Sequence, residues 1–175
     1  MRLAVLPLVM SVVCAPSAMA PAAFAQDVTV IGTHGKWTAY TYTENKQPVC
    51  YIAAKPEKSE GKYSSRDEVL MLVTHRPGEK AWDVISVVAG YQYKPDTDAL
   101  VTIGAAKFDL FTVGSDRAWA RDAKVDRSIA QAMIKGNTAV VRGTSSRNTA
   151  TTDTFSLSGF SAAYKAINDT CKKPA

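Results

Sequence analysis

Apolar and polar residues alternate with a period of two along much of this chain. Thr38, Tyr40 and Tyr42 are separated by Ala39 and Thr41, and similar alternation returns at 101–103 and 154–158. Successive side chains of a β-strand point to opposite faces. The pattern therefore predicts half-buried strands at these positions.

Two denser apolar runs, 69–73 and 84–89, are short and rich in β-branched residues, which favours central strands. Turn-forming residues follow or separate the runs at 76–79, 94–96 and 104–106. Several short strands at this spacing predict a mainly β fold, a single antiparallel β-sandwich or barrel-like domain.

Two segments change to a helical period, one near 125–135 and one near 159–171. Each carries an apolar stripe, formed by Val125, Ile129, Ala132 and Met133 in the first and by Phe160, Tyr164, Ile167 and Cys171 in the second. Ser158 is a candidate cap for the second helix. We expect that helix to turn Cys171 toward the sheet together with Phe160.

The first twenty-five residues have the organisation of a secretory signal peptide. Arg2 supplies the positive start, residues 3–13 form an apolar run, and 23–25 reads Ala-Phe-Ala. We predict cleavage after Ala25, which leaves 26–175 as one β domain. The mature protein is then exported, with no membrane span in the mature chain.

Two other interpretations of this segment fit less well. A transmembrane anchor needs about 20 apolar residues, and this run is shorter. A lipoprotein acylated at Cys14 would need a small residue before the cysteine, where Val13 stands.

Export to an oxidising compartment favours a disulfide between the remaining cysteines. Without Cys14, the mature chain retains Cys50 and Cys171, which have one possible intramolecular pairing in an oxidising compartment. We predict a disulfide between them, which closes a loop of 121 residues (171 − 50). A loop of that order contributes roughly 4–5 kcal/mol in the chain-entropy account. The alternative is that one thiol pairs with a second molecule.

Charge gives no sign of nucleic-acid binding. The chain has 21 basic and 16 acidic residues, and its net charge of +5 is scattered in singles and pairs. The densest basic stretch, 55–66, has acidic residues interleaved and contains Gly61. We interpret it as a mobile polar loop.

Candidate catalytic chemistry is sparse. His34 and His75 are the two histidines, and neither stands in a cluster with metal-ligand spacing. Nucleophile elbows, phosphate-binding loops and Cys-x-x-Cys pairs do not occur in the sequence. A hydrolase would need a histidine beside a nucleophile and an acid in the fold. We predict no catalytic, cofactor-binding or metal-binding residues, and no enzyme.

Aromatic residues are the remaining candidates for a binding surface. Trp37, Trp82 and Trp119, together with the tyrosines that alternate along strands, could stack sugars or bases, but packing within the sheet is the more common role. Tyr91 and Tyr93 are the residues that we select as a possible exposed partner surface.

An ordered set of short motifs resembles the invasion-associated locus B family of bacterial exported proteins. The motifs span the region from Trp37 to Cys171. They are Trp37-Thr38, Pro48-Val49-Cys50-Tyr51-Ile52, Leu72-Val73-Thr74-His75-Arg76-Pro77, Val101-Thr102-Ile103-Gly104 followed by Lys107-Phe108, and Asp153-Thr154-Phe155-Ser156-Leu157-Ser158-Gly159-Phe160. Family members often carry further cysteines, which this chain lacks near Tyr40 and in 119–123.

The resemblance implies a bacterial envelope protein, periplasmic or secreted after cleavage of the signal peptide, that is associated in some host-associated bacteria with the invasion of host cells. It implies no established catalytic mechanism. The leading hypothesis is therefore a non-enzymatic protein that binds an unidentified protein or glycan. The alternative hypothesis is a periplasmic housekeeping protein that binds a small ligand in an apolar pocket within its β domain.

Overall fold

A computed structural model of the protein describes residues 27–174, so the predicted signal peptide lies outside the described residues. Two helices are present, α1 (Ala123–Lys135) and α2 (Phe160–Cys171). The strands are β1 (Thr29–His34), β2 (Trp37–Glu44), β3 (Gln47–Ala54), β4 (Lys58–Gly61), β5 (Leu70–Arg76), β6 (Ala81–Val88), β7 (Ala99–Ile103), β8 (Ala106–Thr112), β9 (Arg117–Trp119), β10 (Thr138–Thr144) and β11 (Ala150–Ser156).

The strands form one antiparallel sheet in the order β1-β2-β3-β5-β6-β9-β8-β7-β10-β11-β4. β8 pairs with β9 on one side and with β7 on the other, so it joins two halves of the sheet. The first half consists of β1, β2, β3, β5, β6 and β9, and the second half consists of β7, β10, β11 and β4. Inner side chains from both halves belong to one core. The predicted mainly β antiparallel fold is confirmed. Within residues 27–174 the sheet is not closed into a barrel, because β1 and β4 are edges.

The apolar stripe of α2 lies against the inner face of the first half of the sheet. Phe160, Tyr164, Ile167 and Cys171 are all buried there, as their helical spacing predicts. Cys171 forms a disulfide with Cys50 on β3, with the Cα atoms 6.0 Å apart. The bridge attaches the end of α2 to the sheet.

Trp37 connects the two halves of the sheet. Its side chain is fully buried at the start of β2, and its indole Nε1–H donates to the carbonyl of Ser156 at the end of β11, at 2.9 Å. The ring also meets Phe160 edge-on, with centroids 5.0 Å apart. One side chain therefore contacts both halves and α2.

α2 begins differently from the expectation. Its N-cap is Gly159 in the left-handed conformation (φ 87°), and no side chain caps the helix, so the assignment of this role to Ser158 was wrong. A Cβ at Gly159 would lie 2.0 Å from the carbonyl oxygen of His34. Glycine is needed here because the β1–β2 turn passes directly over the start of the helix.

α1 begins at Ala123, since the Asp122 carboxylate accepts hydrogen bonds from the backbone N–H groups of Lys124 and Val125 at 2.8 and 2.9 Å. One turn later, the buried side chain of Asp126 accepts the N–H of Ile85 on β6 at 2.7 Å. A carboxyl group thereby joins the helix to the sheet.

The segment 55–66 is not the loop that its composition predicts. It contains the edge strand β4, which pairs with β11. It also ends at Arg66, whose buried guanidinium donates to both carboxylate oxygens of Asp153, at 3.0 and 2.8 Å, and to the carbonyl of Ala89. Hydrophobic periodicity could not reveal this attachment, because an ion pair provides it.

Removal of the disulfide should destabilise the fold. We expect replacement of both Cys50 and Cys171 with serine to lower the free energy of unfolding by about 2–5 kcal/mol, because the unfolded chain loses a long covalent loop. Urea unfolding measures this. The wild-type protein under reducing conditions is the control and should unfold at a midpoint close to that of the variant. Equal midpoints for the variant and the oxidised wild type would contradict the expectation.

Asp126 should make stability depend on pH. Burial raises its pKa to about 6, and the nearby carboxylates of Asp83 and Asp122 add to this, although the hydrogen bond from Ile85 opposes it. Between pH 4 and 6 the folded protein holds a proton that the unfolded chain has lost, so this group makes stability fall as pH rises, by about 2–3 kcal/mol in all. Asp126→Asn should reduce that fall and be the more stable protein at pH 7.

Asp96→Asn is the matched control, because the Asp96 side chain is exposed and asparagine also accepts the left-handed backbone of this position (φ 56°). Its unfolding free energy should follow the wild-type pH profile. Parallel profiles for Asp126→Asn and the wild type would show that the carboxyl group of Asp126 does not carry the effect.

Candidate functional site

The outer face of the first half of the sheet carries an aromatic and apolar surface. We call it the tyrosine face, and it consists of Tyr40, Tyr42, Tyr51, Leu70, Leu72 and Trp119. The strand register brings these residues together, since Tyr40 lies opposite Tyr51, Ala53 opposite Leu72, and Ser86 opposite both Leu72 and Trp119. All six side chains are half-buried.

The inner face of β2, β3 and β5 is covered by α2, which contacts Cys50 and His75, while α1 packs against β6. Tyr51 and Thr74, the neighbours of those two residues, point the opposite way and line an open cleft of about 630 Å³. Small side chains, including Ala53 and Ser86, also line the cleft. The tyrosines of β2 and β3 and Trp119 of β9 complete its lining. The arrangement offers rings and a shallow apolar floor to a partner.

The rings are held by one another. The Tyr40 and Tyr51 rings stack with centroids 4.9 Å apart, and Tyr42 meets Tyr51 nearly edge-on at 6.2 Å. Burial raises the pKa of Tyr51, and the neighbouring Tyr40 and Tyr42 add to this. The Tyr51 hydroxyl is therefore protonated at neutral pH and can donate a hydrogen bond to a partner.

Charged side chains surround the tyrosine face. Lys55 pairs with Glu68 at 2.7 Å, and Arg76 pairs with Glu44 while its guanidinium also reaches the Tyr42 hydroxyl at 3.3 Å. Arg117 lies over the Trp119 ring, with its Cζ 5.9 Å from the centroid. An apolar centre with a charged rim is the usual organisation of a protein-binding surface.

A second, more polar cleft of about 500 Å³ lies elsewhere on the surface and includes Tyr91. The Tyr91 hydroxyl is hydrogen-bonded to Thr151 at 2.7 Å, and its ring and that of Tyr63 both lie near the Arg66 guanidinium. Tyr91 is thus half-buried and engaged in holding this region together.

Tyr93, selected with Tyr91 as a possible exposed surface, is only 2% exposed. The selection of Tyr93 as a surface residue was therefore wrong. The reason is the bridge between Tyr93 and Ser145, which draws this stretch inward so that the ring joins the core. Burial raises the pKa of Tyr93, in keeping with an interior position.

His75 lies buried near the end of β5, and both of its ring nitrogens are hydrogen-bonded. Its Nδ1 accepts the backbone N–H of Asp83 at 3.1 Å, which leaves Nε2–H to donate to the side-chain oxygen of Asn168 at 2.7 Å. Burial lowers the pKa of His75, so the ring is neutral at neutral pH. The ring joins β5, β6 and α2 and has no free nitrogen for catalysis.

Asp83 is the shared hydrogen-bond acceptor of two further polar side chains. Its backbone is left-handed (φ 61°), and its carboxylate accepts from the Tyr164 hydroxyl at 2.5 Å and from the Lys173 ammonium at 2.6 Å. Burial and the adjacent Asp83 raise the pKa of Tyr164. Because these groups satisfy one another inside the fold, they hold α2 in place.

His34 lies at the end of β1, and the fold keeps it separate from His75. In the part of the chain that the structure describes, no group of three or more His, Cys, Asp or Glu side chains is placed to hold a metal ion. Among the same residues, no helix is long and apolar enough to cross a membrane.

Sequence reasoning found part of the tyrosine face. The alternation of Tyr40 and Tyr42 placed them on one strand face, but the interpretation as ordinary packing missed their half-exposure. Tyr51 and Leu72 were not selected. The dense apolar run at 69–73 was the available signal, because a strand with apolar residues on both faces needs a neighbour on both sides.

Comparison with solved structures shows a relative of known fold. The crystal structure of invasion associated protein B from Bartonella henselae matches with a TM-score of 0.58 and 15% sequence identity, over 83% of this chain and 98% of the other. At this identity the likeness establishes a shared fold. Comparison with curated protein sequences gives no match.

Comparison with protein families matches the family described as invasion associated locus B (IalB) protein, over residues 37–168. The matched region contains β2 through most of α2. It therefore covers the tyrosine face, most of the core and Cys50. This chain belongs to the invasion associated locus B family.

Proposed function

We propose that this protein is an exported binding protein without catalytic activity, that its partner docks on the tyrosine face, and that it contributes to host-cell invasion in a host-associated bacterium. The observation that carries the proposal is the tyrosine face itself. Three tyrosines, a tryptophan and two leucines stand half-buried on one side of a sheet whose other side is covered by helices. Antiparallel sheets usually turn polar side chains toward water.

The composition of this surface favours a protein partner. Tyrosine, tryptophan and arginine dominate the residues that carry binding energy in protein interfaces. The tyrosine face and its rim supply all three, with Arg76 and Arg117 beside the rings. A glycan could stack on the same rings, so the choice between protein and glycan belongs to the test.

Export is supported by two features. The disulfide between Cys50 and Cys171 fits an oxidising compartment. The sequence of residues 1–25 has the three parts of a signal peptide. Periplasmic and secreted locations fit both observations equally.

A small ligand is the second candidate, and the size of the cleft favours it. About 630 Å³ falls in the range of small-molecule sites, roughly 300–1,000 Å³. The cleft is open along the sheet, however, whereas such sites usually enclose most of their ligand. An open cleft therefore fits the extended surface of a macromolecular partner better than it fits a small ligand.

The location can be tested on cells that produce the protein. We expect the purified mature protein to begin at Gln26 by mass spectrometry. Antibody and protease access to intact cells, compared with cells whose outer membrane has been permeabilised, then separates two outcomes. Labelling of intact cells supports direct contact with the host, and a known periplasmic protein serves as the control for leakage. Protection until permeabilisation would contradict a direct role in invasion.

Binding can be tested with purified protein on cultured host cells. We expect the double substitution Tyr40→Ser, Trp119→Ser to weaken binding at least about tenfold, because each ring contributes on the order of 1–2 kcal/mol in an interface. Tyr63→Ser is the matched control, since it removes an exposed tyrosine from the polar cleft instead.

Treatment of the host cells with a protease or with glycosidases identifies the partner class. Loss of binding after protease alone supports a protein partner, and loss after glycosidases supports a glycan. Thermal unfolding of each variant shows that the fold is intact. If the Tyr63 variant loses binding and the double variant retains it, the polar cleft is the site and the proposal fails.

A further inference from the structure

We propose that two copies of this protein associate through the outer edge of β1, so that the sheet of one copy continues into the sheet of the other. The inference concerns a second surface and does not rest on the function proposed for the tyrosine face. It starts from the difference between the two edges of the sheet.

The edge at β4 is protected against pairing. The strand has four residues, and Lys58 and Glu60 form an ion pair with each other at 2.9 Å. Short strands and charged side chains are common protections for sheet edges, because an unprotected edge recruits further strands.

The edge at β1 lacks these protections. The strand has six residues, Thr29–His34, and contains no acidic residue, lysine or arginine. The side chain of Val30 is 58% exposed, and that of Val28, just before the strand, is 48% exposed. Within residues 27–174, β1 pairs with β2 on one side and with no strand on the other. Its outward N–H and C=O groups can therefore pair with an added strand.

A second copy is the occupant that fits this edge. Each chain carries more basic than acidic residues, so most approaches between copies bring like charges together. Antiparallel pairing of β1 with itself about a two-fold axis brings together threonine, valine, isoleucine and glycine. The β1 edges can therefore meet without repulsion between charged side chains.

The bulge between Val30 and Gly32 sets the strength of this contact. It interrupts the regular register of β1 against β2 and so leaves two short segments for pairing. Few hydrogen bonds and a small apolar area give a weak contact, well below the size of a permanent dimer interface. We therefore expect a reversible dimer whose population rises with concentration.

The dimer would affect how a partner is bound. Val30 lies opposite Tyr40 in the register, so the exposed edge continues the tyrosine face to the rim of the sheet. A two-fold axis perpendicular to the joined sheet relates the paired strands and places both tyrosine faces on the same side of it. Two linked sites that face one way bind a multivalent surface more tightly than either site alone.

Sedimentation velocity of the purified protein, from low to high micromolar concentration, tests the inference. We expect the wild-type protein to shift from monomer toward dimer, and Val30→Lys to weaken the association at least about tenfold, because it places a buried like charge in the paired edge. Val113→Lys is the matched control. Val113 is 67% exposed at the end of β8, away from β1, so its substitution should leave the dimer unchanged.

Two results would overturn the inference. One is a wild-type protein that remains monomeric at every concentration. The other is a dimer that Val30→Lys leaves intact or that Val113→Lys disrupts equally. The substitution Tyr40→Ser, Trp119→Ser should retain the dimer while losing host-cell binding, so failure of this inference and failure of the proposed function are distinguishable.

Discussion

The packing of α2 against the inner face of β2, β3 and β5 is the contact on which the rest of the structure depends. Strand side chains alternate between two faces, so a helix that covers one face leaves the other uncovered. α2 buries Phe160, Tyr164 and Ile167 there, and the disulfide fixes its end. The position of the helix thus decides which residues become core and which form the tyrosine face.

Buried polar groups also hold α2 against the sheet. The His75 ring is hydrogen-bonded to Asn168 on α2, and the Asp83 carboxylate accepts from Tyr164 and Lys173, so both buried side chains have partners from another part of the chain. Removal of one partner would leave a buried group unpaired, which is more costly than the bond is stabilising. These buried titratable residues are therefore committed to structure, while the rings on the outer face are held only by their neighbours and remain available.

Periodicity predicted much of this fold. Alternation identified β2, β7 and β11, and the helical stripes identified both helices and the face on which Cys171 lies. The cysteine count then gave the pairing with Cys50 once export was assumed. These predictions succeeded because each depends on local spacing and on the apolar character of side chains.

The errors have a common physical origin. Arg66 anchors the segment 55–66 through Asp153, and Gly159 begins α2 because His34 leaves no space for a side chain. Tyr93 is drawn inward by a bridge to Ser145. In each case the deciding partner is distant in the sequence, so composition and period could not identify it. The same holds for the tyrosine face, where four separate strands supply the side chains.

The position of α2 in the chain also governs the order in which the protein can fold. Residues 160–173 follow every strand, so a growing polypeptide presents the inner face of the sheet before the helix that covers it exists. The disulfide of Cys50 cannot form until Cys171, 121 residues later, has been synthesised. The ion pair of Asp83 likewise requires Lys173. For the export proposed above, in which the chain crosses a membrane unfolded, this delay is an advantage, because the core cannot close before α2 has been synthesised.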